Sequence, residues 1–259
     1  MNDYTTVTES PGQNASNEQL QRLFTRYHFA YQQAEGKDIL EAACGTGIGL
    51  GYLAKRARKV VGGDIDEGNL VLARKQYADR PHIELRQFDA HTLPFVNQAF
   101  DIVMLYEAVY YLKKPEEFIK EAWRVLRRNG IIIICSVNKD WADFNPSPYS
   151  LRYFSAPELA ELLEQSGFTQ VALYGDCAAQ ANTIKEKIIS FIKRTAVRLN
   201  LIPKTMKDRE LLKKIFFGKL SPLPPEVYEG MAGYQAPEPI DKKLPNRQYK
   251  VLFALGHKL

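Results

Sequence analysis

Short apolar runs alternate with amphipathic stretches through the middle of the chain, and this alternation constrains the fold more than any other feature. The apolar runs predict strands over residues 38–42, 59–63, 82–87, 101–106 and 131–137. The stretches between them predict helices over residues 50–58, 67–77 and 115–127. Strands that alternate with helices build a parallel sheet covered by helices on both faces. The sequence therefore predicts an α/β fold with a doubly wound, mostly parallel sheet.

A further helix is predicted before the first strand. Ser16 and Gln19 have the spacing of a capping box, so this helix should begin there and end near Gly36. The residues in front of it are polar and lack an apolar run, which is typical neither of a signal peptide nor of a membrane span. We expect residues 1–17 to form a disordered leader and residues 18–182 to form the core of the domain.

An insertion interrupts the end of the fold. A helix over residues 155–166 and a strand over 169–174 are predicted before it, and a last core strand lies within residues 249–259. The insertion, residues 183–248, is first helical and basic and then rich in proline. Residues 183–220 carry eleven Lys and Arg against three acidic residues, so this stretch has a charge of +8 and the remainder of the chain −3. A lid on the domain is the preferred interpretation, and peripheral contact with an anionic surface or an anionic acceptor remains open. Nucleic acid is the least favoured partner, because no recognisable nucleic-acid-binding motif accompanies the basic charge.

The cysteines and the composition indicate the cellular compartment of the protein. Cys44, Cys135 and Cys177 are odd in number, far apart and not at metal-site spacing. We therefore expect a cytoplasmic protein with no disulfide, no metal site and no transmembrane segment.

The ends of the predicted strands carry the candidate ligand-binding residues, because ligands of open parallel sheets bind at the carboxyl ends of the strands. The first strand ends in a glycine loop that runs from Glu41 through Gly45 and Gly47 to Gly49. Glycines there let the backbone turn tightly and approach a ligand closely. Taken alone, this loop equally fits a plain turn between a strand and a helix.

Acidic residues at the next two strand ends narrow the choice of ligand. Asp64 can accept hydrogen bonds from both hydroxyls of an adenosine ribose, and Asp89 can accept one from the exocyclic amine of adenine. A nicotinamide dinucleotide would also use Asp64, but its motif needs a third glycine where Leu50 or Tyr52 stands. A P-loop is excluded, because no Gly-Lys-Ser/Thr follows the glycines.

With these motifs the chain resembles the class I S-adenosylmethionine-dependent methyltransferases, most closely their small-molecule branch, similar to methyltransferase domains 11 and 25. The matching segments are residues 38–47 (DILEAACGTG), 61–66 (VGGDID), 88–95 (FDAHTLPF), 100–103 (FDIV) and 124–130 (RVLRRNG). The resemblance implies a seven-stranded Rossmann-like sheet in the order 3-2-1-4-5-7-6, with the seventh strand antiparallel. In two places the chain departs from the pattern: Ala43 replaces the first glycine of the loop, and Asn129 replaces the first glycine of a Gly-Gly pair.

The resemblance also implies S-adenosylmethionine as the cofactor and a set of residues that bind it. Glu41 and the loop would line the methionine and ribose part, Asp64 would hold the ribose, and Ile65 would pack on adenine. Leu105 and Tyr106 would border the methionine part and the transferred methyl group. The whole set is Glu41, Ala43, Gly45, Gly47, Asp64, Ile65, Asp89, Ala90, Leu105 and Tyr106.

The acceptor side is less determined by the sequence. A hydroxyl acceptor would benefit from a general base, for which the candidates are Glu107, His28 and His91. Each of the three equally suits an ion pair or a surface position. The candidates for the acceptor wall are Tyr110, Tyr111, Asn138, Trp141, Tyr149 and Tyr153, since rigid aromatic and hydrogen-bonding groups line ligand sites. The loop over residues 138–154 equally suits a surface connection packed by its own aromatic rings.

Three functions fit these observations. The first is methyl transfer to a small-molecule, sugar, or glycan- or lipid-linked acceptor, at oxygen. The second is methylation of a macromolecular or anionic acceptor. The third is a non-catalytic S-adenosylmethionine-binding module, which the intact set of cofactor residues disfavours.

Overall fold

The structure is a computed structural model that describes Tyr4 and residues 7–147, 149–178 and 220–259. The basic helices predicted within residues 183–219 lie outside the described residues.

Within the described residues, a mixed sheet of eight strands forms the centre of the fold. Its strands are β2 (Asp38–Ala42), β3 (Lys59–Asp64), β4 (Ile83–Gln87), β5 (Phe100–Tyr106), β6 (Leu126–Val137), β7 (Thr169–Ala178), β9 (Glu238–Ile240) and β10 (Tyr249–Lys258). Their spatial order is β4-β3-β2-β5-β6-β10-β7-β9. The strands from β4 to β6 are parallel, whereas β10 runs antiparallel to both β6 and β7. This confirms the order implied by the resemblance, with β9 as an eighth strand at the edge.

Five α-helices accompany the sheet in the described residues: α1 (Asn17–Tyr31), α2 (Leu50–Leu53), α3 (Glu67–Gln76), α4 (Pro115–Val125) and α5 (Ala156–Gln165). The capping box at Ser16 is present, because the Ser16 hydroxyl accepts from the Gln19 amide and the Gln19 side chain accepts from the Ser16 amide. α2 is shorter than predicted. The chain tightens into turns after Leu53, which lets the Arg58 amide donate to the Lys37 carbonyl and starts β3 beside β2.

Two apolar layers cover the two faces of the sheet. Along β5, Val103 and Leu105 pack with α4 and α5, while Ile102 and Met104 pack with α1 and α2. The alternation follows from the two-residue period of a strand. Because both faces are buried, the strands are apolar along most of their length, as parallel strands with helices on both sides are.

The N-terminal residues are part of this packing. Asn14–Ala15 forms β1, which pairs antiparallel with Ser221–Pro222, β8. Farther upstream, the Thr46 hydroxyl donates to the Glu9 carbonyl over 3.0 Å. Backbone pairing and burial of Ala15 hold residues 7–17 on the fold, where the sequence alone leads us to expect a disordered leader over residues 1–17. The local sequence is polar, so the partners that bind it are visible only in three dimensions.

Candidate active site

A cavity of about 760 Å³ opens at the carboxyl ends of the parallel strands. It lies where β2 and β5 meet and the strand order reverses, which is where open α/β sheets bind ligands. Strand ends form the floor, α1 and residues 7–9 form one wall, and the short 3-10 helix Val109–Tyr111 forms the other. Its predicted lining residues are Glu41, Ala43, Gly45, Asp64, Ile65, Asp89, Ala90, His91, Tyr106, Glu107, Tyr110 and Tyr111.

The glycine loop is held in a left-handed backbone conformation. Ala43, Gly45 and Gly47 have φ values of 54°, 57° and 73°. Glycine adopts such angles without strain, whereas an alanine pays roughly 1–2 kcal/mol. Two side chains fasten the loop: the Tyr77 hydroxyl donates to the Gly47 carbonyl over 2.7 Å, and Asp64 accepts from the Gly45 amide over 2.8 Å. Gly47 therefore shapes the loop and does not itself line the cavity.

Asp64 ends β3 as a buried carboxylate. One of its oxygens accepts from the Gly45 amide and the other from the Asp66 amide, each over 2.8 Å. Burial raises the pKa of Asp64, and these two hydrogen bonds oppose the rise. The Asn69 side chain also donates to this carboxylate. The acceptor capacity that remains on Asp64 suits a hydroxyl of a ligand such as a ribose.

The next wall of the cavity suits a flat base. Ile65, Phe88 and Ala90 provide apolar surface, and Asp89 provides a carboxylate. Asp89 accepts from the His91 amide over 2.9 Å and lies 2.5 Å from the His91 ring nitrogen Nδ1. Burial alone would raise the pKa of Asp89, but the hydrogen bonds and charge of His91 lower it. His91 thus orients Asp89 at the rim of the cavity.

At the opposite end, three buried polar atoms lack hydrogen-bond partners among the described residues. Glu41 is buried at the end of β2, where it accepts from the Tyr27 hydroxyl over 2.7 Å. Burial raises the pKa of Glu41 to about 8, against the opposing effects of the Tyr27 hydrogen bond and the Arg26 charge. Within the described part of the chain, Glu41 Oε2, the Tyr106 hydroxyl and Arg26 Nε have no hydrogen-bond partner. Since buried polar groups are normally paired, these three atoms mark a place for a polar ligand.

Glu107 stands beside this cluster in a strained backbone conformation. Its φ is 51°, and its amide donates to the Cys135 carbonyl over 2.8 Å. Its carboxylate accepts from the Tyr110 hydroxyl over 3.0 Å and pairs with Arg22 at 3.4 Å. Non-glycine residues in this region cost of order 1–3 kcal/mol and concentrate at functional sites. The strain points the Glu107 side chain into the cavity at the end of β5.

Several candidates lie elsewhere. His28 faces away from the cavity, where its ring nitrogen Nδ1 lies 2.8 Å from the Tyr52 hydroxyl and its ring packs on Tyr234. Asn138 is buried and donates to the Asn246 and Tyr249 carbonyls, so it fixes a loop.

The remaining predicted residues also lie outside the lining of the cavity. The Leu105 side chain is buried in the core. Tyr153 stacks on Tyr110 at 4.4 Å between ring centroids, one layer behind the wall. Tyr149 is half-exposed beside Tyr4, and Trp141 lies under the Lys250 ammonium.

Sequence reasoning missed the contributions of the N-terminal residues and of α1. Tyr4, Glu9, Arg22, Arg26 and Tyr27 all line the cavity. The available signal was the spacing of the two arginines, since residues four apart share one face of a helix. Among the described residues, no group of three or more His, Cys, Asp or Glu side chains could hold a metal ion. No helix in the described ranges is long and apolar enough to cross a membrane.

The comparisons with known proteins agree with this geometry. Residues 40–134 match the family model of a methyltransferase domain. A probable S-adenosylmethionine-dependent methyltransferase of Mycolicibacterium smegmatis is 33% identical over 155 residues, which cover 56% of this chain and 58% of the relative. A demethylmenaquinone methyltransferase of Clavibacter sepedonicus is 30% identical over 154 residues, 59% of this chain and 62% of the relative. The chain thus spans about three fifths of the length of these curated relatives.

The solved structures support the fold. An S-adenosylmethionine-dependent methyltransferase of Thermotoga maritima superposes with a TM-score of 0.56 at 17% identity, over 92% of this chain and 94% of that one. The segment that matches the family model contains the glycine loop and Asp64, Asp89 and Glu107. Residues 40–134 therefore match a methyltransferase domain, and the fold around them is shared with a solved S-adenosylmethionine-dependent methyltransferase.

Proposed function

We propose that the chain binds S-adenosylmethionine in this cavity and transfers its methyl group to oxygen of a small-molecule, sugar, or glycan- or lipid-linked acceptor. One observation carries the proposal: a single cavity contains the glycine loop, the Asp64 carboxylate, the apolar wall beside Asp89 and the unpaired polar atoms around Glu41. These groups fit, in order along the cavity, a ribose diol, an adenine and an amino acid. We place the protein in the cytoplasm as part of the same proposal.

Methyl transfer requires above all that the acceptor atom, the methyl group and the sulfur lie in line. When bound, S-adenosylmethionine supplies an electrophilic methyl group on a sulfonium. The chain's task is to hold an acceptor atom in line with that methyl group, and such positioning can supply several kcal/mol of the barrier. Tyr27 and Tyr106 lie edge to face, with ring centroids 5.5 Å apart, and form a rigid surface at this point.

The acceptor side combines aromatic rings with one carboxylate. Tyr110 and Tyr111 lie with centroids 4.6 Å apart, and Leu112 extends the apolar surface of this wall. Such a wall suits a ring or an acyl chain. The name of the demethylmenaquinone methyltransferase indicates that this relative acts on demethylmenaquinone.

Glu107 is the residue that we assign as the general base. It lines the cavity, and its carboxylate is oriented by Tyr110 and Arg22. An acceptor hydroxyl within hydrogen-bond reach of Glu107 would lose its proton to this carboxylate as its oxygen takes the methyl group. The bond between that methyl group and sulfur would break, and its electron pair would stay on sulfur as the neutral thioether of S-adenosylhomocysteine. Glu107→Gln should lower the rate by roughly 10²–10⁴-fold while cofactor binding persists.

The first test is calorimetric titration with S-adenosylhomocysteine and with NAD. We compare the wild type with Asp64→Asn, and we use Asp66→Asn as a matched control, because Asp66 caps α3 outside the cavity. Asp64→Asn should weaken S-adenosylhomocysteine binding about ten- to a hundredfold, the range for hydrogen bonds to a charged group. Equal affinity in the two variants, or preference for NAD, would contradict the assignment of the cofactor. Tight binding without methyl transfer to any acceptor in a screen of lipids, glycans and small hydroxyl compounds would instead favour a non-catalytic module.

A further inference from the structure

The buried guanidinium of Arg26 is only partly satisfied by its surroundings. Arg26 lies at the unpaired polar cluster, next to Tyr27 on α1, and its side chain is 7% exposed. One of its terminal nitrogens pairs with Glu9, and the other lies 3.9 Å from Glu107. Its Nε has no partner in the described part of the chain. Arg26 itself lines the cavity. A buried guanidinium whose terminal nitrogen Glu9 can release is suited to bind an anionic group of a ligand.

Glu9 reaches Arg26 from a segment that crosses the cofactor loop. A Cβ atom placed on Gly45 would lie 2.6 Å from the Thr8 methyl group, so Thr8 sits directly on the loop. The Asn69 side chain donates to the Thr8 hydroxyl over 3.2 Å. The Glu9 side chain is 40% exposed although its partner is buried. Residues 8 and 9 are therefore held over the site by a few side-chain contacts and one ion pair.

The atoms around Arg26 match one chemical group. Glu41 Oε2 and the Tyr106 hydroxyl can accept hydrogen bonds, and Arg26 donates them. A carboxylate and a guanidinium on one wall of a cavity complement a ligand that carries an ammonium and a carboxylate on the same carbon. An α-amino acid has this pattern.

We propose that Glu9 occupies Arg26 when the cofactor is absent, and that the α-carboxylate of the methionine part displaces Glu9 when S-adenosylmethionine binds. The inference rests on the proposed function, which supplies the cofactor. Glu9 is then a competitor built into the chain, and residues 8 and 9 withdraw from Arg26 when the amino-acid part enters. A purely structural Glu9–Arg26 pair would show no preference for ligands that contain a carboxylate.

The test compares two ligands that share the thioether-linked adenosine. S-adenosylhomocysteine contains the amino-acid part, and 5′-deoxy-5′-methylthioadenosine lacks it. Calorimetric titrations use the wild type, Glu9→Gln, Arg26→Gln and Arg26→Lys. The control is Glu18→Gln, because Glu18 pairs with Lys250 near the protein surface and does not line the cavity.

The expected results separate the two ligands. Arg26→Gln should weaken S-adenosylhomocysteine about ten- to a hundredfold, and Arg26→Lys should weaken it less, because the charge remains but the forked geometry is lost. Glu9→Gln should strengthen S-adenosylhomocysteine severalfold, because the competing charge is gone. None of these three substitutions should alter the affinity for methylthioadenosine by more than about twofold, which is the usual size of an indirect effect of a substitution.

Specific outcomes overturn the inference. Equal effects of Arg26→Gln on both ligands would show that Arg26 acts through the fold, and unchanged or weaker S-adenosylhomocysteine binding in Glu9→Gln would refute the competition. If the Arg26 variants fail to fold, as judged by circular dichroism, Glu9→Gln decides alone, since Glu9 is partly exposed. If the wild type binds methylthioadenosine and S-adenosylhomocysteine equally well, the inference fails while the proposed adenosine site stands. If the wild type binds neither ligand, the proposed function fails together with the inference.

Discussion

The difference in stability between Glu41→Gln and the wild type should shift in favour of Glu41→Gln as the pH rises, because the wild type loses stability. Burial raises the pKa of Glu41 from its usual 4.5 to about 8. Between these two values the folded state holds a proton that the unfolded state has released. Stability therefore falls as pH increases, because the unfolded state binds fewer protons. The stabilisation is fully present below pH 4.5, declines through the interval and is lost above the folded-state pKa.

The magnitude follows from the same two values. The interval from 4.5 to 8, at about 1.36 kcal/mol per pH unit, corresponds to up to about 5 kcal/mol of lost stability. Glutamine has nearly the same shape and can still accept from Tyr27, but it does not titrate. Between pH 5.5 and pH 8.0, the stability of Glu41→Gln relative to the wild type should thus rise by about 3 kcal/mol.

Urea denaturation at these two pH values measures the difference directly. Glu18→Gln is the matched control, since Glu18 is outside the cavity and in contact with Lys250. A stability difference between the wild type and Glu41→Gln that stays constant from pH 5.5 to pH 8.0 would refute the reasoning. Saturating S-adenosylhomocysteine should reduce the pH dependence of the wild type, because an ammonium beside Glu41 favours its charged form.

Three other substitutions test the groups that support the site. Tyr27→Phe removes the hydrogen bond to buried Glu41 and should cost about 1–3 kcal/mol in urea denaturation; a change below 0.5 kcal/mol would contradict the role of this bond. Ala43→Gly relieves a left-handed alanine and should raise the melting temperature by about 2–4 °C, and a lower melting temperature would show that the strain is not there. Lys258→Met should cost roughly 1–3 kcal/mol, because the Lys258 ammonium donates to the Trp123 and Leu126 carbonyls at the end of α4, and unchanged denaturation would count against this.

Features set by local periodicity were predictable from the sequence. The bounds of β2 are those expected, and the capping box of α1 begins the helix at the expected residue. The strand order was implied by the family resemblance and is observed. The end of α2 was not predictable. The helix stops where the chain returns to the sheet and the Arg58 amide bonds to the Lys37 carbonyl, and no residue near the end of the helix signals this contact.

The residues of the candidate site also differ in how far the sequence could predict them. Asp64 and Asp89 were accessible to sequence reasoning because each follows a strand, and strand ends share one edge of the sheet. His28 was misplaced because a histidine on an amphipathic helix gives no sign of which neighbours it meets, and here they are Tyr52 and Tyr234. Glu9 was missed because its partner Arg26 lies on another element, and its own segment is polar and without periodicity.

The cavity combines strand ends that the sheet holds with a wall, residues 7–9, that side-chain contacts hold, and this difference indicates where each ligand-binding property of the site is set. The floor contains two strained non-glycine residues, Ala43 and Glu107, at the ends of the neighbouring strands β2 and β5. Such strain persists only where the surrounding structure enforces it, and here the hydrogen-bonded sheet does so. The wall at Thr8 and Glu9 depends on side-chain contacts and one ion pair. Changes at Ala43 should therefore alter the affinity for every adenosine ligand, whereas changes at Glu9 should alter only how ligands with an amino-acid part compete for Arg26.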